Sequence, residues 1–261
     1  MFLLCAKLVR ENKAMQLSLN FGHAPPLGAD IVNLRNRLMS AFGPFRSSLR
    51  DEPVAQLVKS LLSSRTHVGD AQATYERLKR RYPSWADLAS ASGGELRALL
   101  CPVTYADEKA DWLSCGLKEI RRRTGALDLD FLAEWPVEAA QDWLKALDGV
   151  GPKVAGEVLN FSRLKRRCMV VDSHVHRVAK RYGLVSEVSE PEGAARTLME
   201  LAPDAWTAED FYELHWLMKR LGQMRCTQSW ARCGACPVAA SCLRRSIPPR
   251  SNLAQFHARP I

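Results

Sequence analysis

The chain has 261 residues, 47% of them hydrophobic, which is enough to bury a sizeable core in one large domain or two lobes and too much for a disordered chain. Thirty-seven Lys and Arg against 28 Asp and Glu leave a net charge of +9 and a pI near 9.3, which favours a polyanionic partner, nucleic acid or an anionic membrane surface. The opening MFLLCA is far shorter than the ~20 apolar residues of a membrane span, and Lys7 interrupts it, so the chain is expected to be soluble, unexported and off the membrane.

Residues 1–28 carry turn formers and little periodicity and are expected to be an N-terminal tail, with Met15 as an alternative start. Helical periodicity then recurs from residue 30 to residue 220, while strand signals are nearly absent, so the fold class is all-α. IVNLRNRLMSAF sets Ile31, Leu34, Leu38 and Phe42 on one stripe, and PVAQLVKSLLSS after Pro53 and DAQATYERLKRRY after Asp70 do the same. AAQDWLKALDGVGPKVAGEVLNF predicts a helix, a tight turn at Gly149-Val150-Gly151, and a second helix restarted by Pro152, a residue suited to the first helical position. DAWTAEDFYELHWLMKRLG predicts a helix capped by Thr207 and ended by Gly222. No repeat at solenoid spacing is visible, and residues 246–261 are expected to form a basic C-terminal tail.

The hairpin carries chemistry. Two glycines one residue apart bring backbone N–H groups close to a ligand, and the positive end of the following helix stands beside them, an arrangement that suits phosphate. Tight packing of an ordinary helical hairpin would use the same glycines. Lys153 lies in that first turn, where the helix dipole disfavours an ammonium and so favours the neutral amine, the form in which a lysine is a nucleophile. The plain alternative is a lysine reaching toward a bound phosphate. Asp172, 19 positions on, opens SHVHRVAKRY; it can cap that helix and face a reacting centre at once.

Four of the eight cysteines, Cys5, Cys101, Cys115 and Cys168, are scattered singly and read as small hydrophobes or idle thiols. The other four, Cys226, Cys233, Cys236 and Cys242, follow C-x6-C-x2-C-x5-C within 17 residues, a spacing that suits metal ligation, by zinc or by a four-iron cluster. Arg225, Arg232, Arg244 and Arg245 crowd them and would offset the charge of a tetrathiolate site.

Hairpin, lysine, aspartate and cysteine quartet in this order resemble the endonuclease III branch of the helix-hairpin-helix DNA glycosylases. The family's Leu-Pro-Gly-Val-Gly-x-Lys and Val-Asp-Thr-His appear here as LDGVGPK and VDSHVHRV, and the quartet matches the spacing of the family's [4Fe-4S] loop; the similarity runs from about residue 30 to residue 245. The resemblance implies a two-lobed all-α fold, with a six-helix lobe over residues 49–165 ending in the hairpin and an iron–sulfur cluster lobe built from 29–48 and 166–245, with double-stranded DNA between them. It implies that Lys153 attacks the sugar C1′ of a flipped nucleotide, that Asp172 supports this step, and that Gly149, Val150, Gly151, Arg65, His174 and Arg232 contact DNA. Cys226, Cys233, Cys236 and Cys242 would hold the cluster. Two departures stand out. Arg65 replaces the Gln that usually fills the gap left by the flipped base, and CPVTYADEKADW, with Tyr105, matches the opposite wedge loop only loosely. His176 has no counterpart in the family.

The leading expectation is a monomeric bifunctional DNA glycosylase with AP-lyase activity on damaged, oxidised pyrimidines, cytoplasmic with the nucleoid in a bacterium or nuclear in a eukaryote. A monofunctional mismatch glycosylase of the same superfamily is the rival enzyme. The adenine-specific relatives lack the lysine and carry a large C-terminal domain, whereas 19 residues follow Cys242 here. A non-catalytic DNA-binding module and a zinc-stabilised regulator complete the alternatives.

Overall fold

The computed structural model describes residues 30–47 and 49–246, so the expected N-terminal tail, and all but the first residue of the expected C-terminal tail, lie outside the described residues. The described chain is helical, and its one extended pairing is the isolated bridge between Cys226 and Ala231. No helix among the described residues is long and apolar enough to cross a membrane.

Helix α1 (Ile31–Phe42) starts where Asp30 Oδ1 accepts the N–H groups of Val32 and Asn33, and it buries Ile31, Leu34 and Leu38. α2 (Pro53–Ser63) has Pro53 in its first turn and buries Val54, Leu57, Val58, Leu61 and Leu62. Each of those side chains contributes about 1.5–3 kcal/mol of apolar burial, which makes α2 a central strut rather than a surface helix. α3 (Val68–Arg81) begins before Asp70, because the His67 ring accepts the N–H of Gly69 and caps the helix there. Helices α4 (Trp85–Ser90), α5 (Gly93–Leu100) and α6 (Ala106–Thr124) follow, then a 3-10 turn at Asp130–Ala133 and α7 (Val137–Lys145). α8 (Pro152–Phe161), α9 (Ser173–Tyr182), α10 (Pro191–Leu201), α11 (Ala208–Met224) and the short α12 (Leu243–Ser246) complete the described chain.

Two apolar cores form. One gathers Val54 through Leu159 together with Cys168; the other gathers Ile31, Leu34 and Leu38 with side chains from Met169 to Val238. The chain crosses from the first core to the second between Cys168 and Met169, and α1 reaches the second by packing on α11. Phe161, at the end of α8, joins the two: its ring meets Tyr212, His215 and Trp216 of α11 at centroid distances of 5.1, 4.9 and 5.8 Å.

One expected helix end is displaced. α11 runs through Gly222 to Met224, and Gly222 is buried inside it. A Cβ at Gly222 would lie 2.9 Å from the Cβ of His174, so this glycine serves the close approach of α9 to α11 rather than a helix stop.

Candidate active site

The loops between α2 and α3 and before α6, the α7–α8 hairpin and the N-terminus of α9 open onto one cleft of about 1530 Å³. The hairpin turn is built on Gly149, whose φ of 74° lies in the left-handed region. A Cβ there would stand 2.4 Å from Cδ2 of Trp112, so the turn requires glycine for both conformation and space. Gly151 caps α8, and a Cβ on it would meet nothing within 4 Å, which leaves the backbone open to an approaching ligand. Val150 differs from its two neighbours. Its side chain is buried and its N–H closes the turn onto the Leu147 carbonyl at 3.1 Å, so of the three predicted hairpin contacts only Gly149 and Gly151 line the cleft.

Lys153 follows in the first turn of α8 and lines the cleft, with its Nζ 2.7 Å from Oε1 of Glu157 one turn along the same helix. Behind it stands Lys109, 1% exposed, whose Nζ donates to the carbonyls of Leu62 and Ser64 and to Thr66 Oγ1 at 2.9, 2.7 and 2.8 Å. Burial, and then repulsion from Lys153, push the Lys109 ammonium down to about 8.

Asp172 is the N-cap of α9: its Oδ1 accepts the N–H groups of His174 and Val175, both at 2.9 Å, while Oδ2 lies 3.3 Å from Nζ of Lys219 on α11. Burial acts to raise this carboxyl, yet the net shift is downward. His215 lowers it only where that ring is charged, and burial holds His215 down to about 4, so at neutral pH Lys219 and the backbone N–H groups carry the shift. His215 is fully buried, with Nδ1 2.9 Å from the Val170 carbonyl and no hydrogen-bond partner at Nε2.

On the opposite wall, Arg65 and Tyr105 occupy left-handed backbone conformations at φ 54° and 59°. Arg65 Nη1 donates to the Tyr105 hydroxyl at 3.4 Å, and the guanidinium lies 5.8 Å from the Tyr105 ring centroid. Both side chains are exposed, and Lys109 ties the loop of Arg65 in place through its bonds to Ser64 and Thr66. The Thr66 hydroxyl in turn accepts the N–H of Thr104 at 3.2 Å, which fixes the two loops relative to each other.

His174 lines the cleft, with Nδ1 3.1 Å from Nη2 of Arg177. Arg232 does not line the cleft; it is exposed beside the cysteines. Cys226, Cys233, Cys236 and Cys242 line a separate small cavity, rimmed by Arg181, Arg225, Arg232 and Arg244. Burial, followed by the proximity of the other three sulfurs, raises the Cys236 thiol, and Arg181 donates to Cys226 Sγ at 3.4 Å. Among the described residues no group of three or more His, Cys, Asp or Glu is placed to hold a metal ion.

Glu157, Lys219, Lys109 and His215 were not singled out by the sequence. The i, i+4 spacing of Lys153 and Glu157 on a predicted helix was the one local signal that could have found any of them.

A thymine/uracil-DNA glycosylase of Pyrobaculum aerophilum is 30% identical over 228 residues, covering 82% of this chain and 92% of that protein. The chloroplastic endonuclease III homolog 1 of Arabidopsis thaliana is 30% identical over 211 residues, covering 76% of this chain and 52% of that protein. Against several other curated relatives the chain spans only a part, from 7% to 50% of their length. Among solved structures, a trapped endonuclease III–DNA covalent intermediate superposes with a TM-score of 0.68 at 22% identity, over 83% of this chain and 95% of that one, a likeness of fold. The family model described as HhH-GPD superfamily base excision DNA repair protein matches residues 58–204, a span that holds the cleft loops, the hairpin, Lys153 and Asp172, and the chain belongs to that superfamily, with an endonuclease III-like fold.

Proposed function

We propose that the chain is a bifunctional base-excision glycosylase: it flips a damaged base out of double-stranded DNA, expels it by attack of Lys153 on the sugar C1′, and nicks the strand through the resulting Schiff base. The observation that carries this reading is the amine of Lys153 in the first turn of α8, beside the open Gly151 backbone and in one cleft with the Asp172 carboxylate. Flipping supplies the access, since a stacked base hides its glycosidic bond. The N–H groups of the hairpin bind the flanking phosphate, and Arg65 and Tyr105 fill the duplex where the nucleotide has left. The Asp172 carboxylate, kept ionised by Lys219 and its two backbone donors, stabilises the positive charge that develops on the sugar as the base departs.

Oxidised pyrimidines are the substrate class of this reading, and the protein acts as a monomer. The relative matched over nearly its full length is named a thymine/uracil-DNA glycosylase, which supports deaminated or mispaired pyrimidines as the second reading. In either case the four cysteines would hold a [4Fe-4S] cluster. Their fit rests on four thiols converging on one cavity with an arginine rim to offset the charge; a four-iron cluster holds its thiolates further apart than a single ion does. When bound, the cluster supplies structure to the loop from Cys226 to Cys242 rather than chemistry to the cleft.

Borohydride trapping on duplexes carrying an abasic site, oxidised pyrimidines, or uracil or thymine opposite guanine tests the proposal. A covalent adduct is expected with the wild type and none with Lys153→Gln, which should still bind. Base release without any adduct would establish the monofunctional reading instead.

A further inference from the structure

Two carboxylates and two lysines meet beside the hairpin, and they pair in a particular way. Asp172 is engaged on both oxygens by groups other than Lys153: Oδ1 by two backbone N–H groups at 2.9 Å and Oδ2 by Lys219 at 3.3 Å. The carboxylate in contact with Lys153 is Glu157, at 2.7 Å. The Glu157 side chain is 6% exposed, and its second oxygen, Oε2, is buried with no hydrogen-bond partner. Residues 154–156 and 158–161 around it are all buried, so an apolar side chain would suit the position better for packing alone. A buried glutamate with one oxygen on an amine and the other unsatisfied costs stability that a surface i, i+4 pair does not. Its place is explained by what it does to the amine.

We infer that Glu157 is the positioning residue and proton acceptor for Lys153, and that Asp172, held by Lys219, is left to the electrostatic role. This rests on the reading of Lys153 as the nucleophile. In the resting site Glu157 holds the Nζ of Lys153 as an ion pair. For attack, one proton passes from Nζ to Glu157 Oε1, leaving a neutral amine and a neutral acid. The Nζ lone pair then forms the bond to C1′ as the bond from C1′ to the base breaks; the base leaves with that electron pair and takes up the proton that the new C1′–N ammonium gives up. Exclusion of water by bound DNA favours the proton transfer, because a dry site penalises two charges more than two neutral groups.

The surrounding charges divide in the same sense. Lys109 from α6 is the nearby cation, repelled by Lys153, and Lys153 itself stands in the first turn of α8. From the α9 cap and α11, Asp172 and Lys219 offset one another, and the buried His215 is neutral above mildly acidic pH. Glu157 is therefore the carboxylate left in direct contact with Lys153.

The test is the single-turnover rate of borohydride-trapped adduct formation on an abasic duplex, followed from mildly acidic to alkaline pH, for wild type, Glu157→Gln, Glu157→Asp and Lys153→Gln. Glu157→Gln keeps the shape and cannot accept the proton. Its rate should fall about 100-fold or more at neutral pH and approach wild type at alkaline pH, where solvent removes the proton instead. Glu157→Asp should recover part of the neutral-pH rate, and both variants should bind the abasic duplex as wild type does. A Glu157→Gln rate equal to or faster than wild type at neutral pH overturns the inference, as does an equal drop at every pH or one accompanied by lost binding. Adduct formation by Lys153→Gln, or none by wild type, overturns the nucleophile reading and this inference with it. A silent Lys153→Gln beside a normal Glu157→Gln sinks the inference alone.

Discussion

The two cores of this protein are assembled on different principles. The first, from Val54 to Leu159 with Cys168, comes from one nearly continuous stretch whose two ends meet, α2 packing on α8. The second is composite: α1 must return across the whole first core to pack on α11, and it does so with a buried charge, Arg35 pairing with Asp210 at 2.8 Å and with Glu213, which is 1% exposed. Glu213 also accepts the backbone N–H of Phe45 at 3.3 Å, so the segment after α1 is pinned by the same carboxylate. A buried ion pair contributes little net stability but is costly to break, which makes it a device for register. The continuous core is closed within its own stretch by the packing of α2 on α8; the composite core also depends on ties from outside its stretch, α1 and the cysteine loop among them.

Breaking those ties should separate the two cores experimentally. The largest effect is expected from Cys236→Ser: if the quartet holds a cluster, its binding free energy is folding free energy on the order of 10 kcal/mol. The variant should lose most of its iron and its visible absorption, and hydrogen exchange should rise across α9 to α12 while α2 to α6 stay protected. Unchanged absorption would remove Cys236 from the ligand set.

Next in size is a pH effect at His215, in the composite core. Burial holds the folded ring at about 4 against an ordinary value of 6.5, so between those values the unfolded state binds the extra proton. Stability from this group is full above pH 6.5 and lost as pH falls toward 4, by about 3 kcal/mol if the whole shift is realised. Denaturant melts of wild type and His215→Gln should show the steeper acid loss in the wild type; parallel curves would place the titrating group elsewhere. Smaller, and confined to the continuous core, is Gly149→Ala. The left-handed φ and the contact with Trp112 should cost about 2 kcal/mol, read as a lower denaturation midpoint with exchange rising around the hairpin and not in α9 to α12.

The helices and the hairpin were legible in sequence because their causes are local. Apolar spacing marks α1 and α2, Pro152 marks the start of α8, and the Gly149–Gly151 pair marks a turn that needs a left-handed residue. Local signals failed where a distant partner decided the outcome. Gly222 looks like a helix stop and is a packing notch for His174, 48 positions earlier.

By itself the sequence determined the helical class, the turn chemistry of the hairpin, the presence of a lysine and an aspartate suited to the proposed reaction, and a cysteine spacing suited to ligation. Only the tertiary structure decided who partners whom. Lys219 meets Asp172 across 47 positions, Lys109 comes close to Lys153 across 44, and Glu157 is buried because the rest of α8 is. The physical reason is that periodicity reports which face of a helix is apolar, whereas the protonation of an amine depends on which charges and how little water surround it, and those are set by chain segments far apart in sequence.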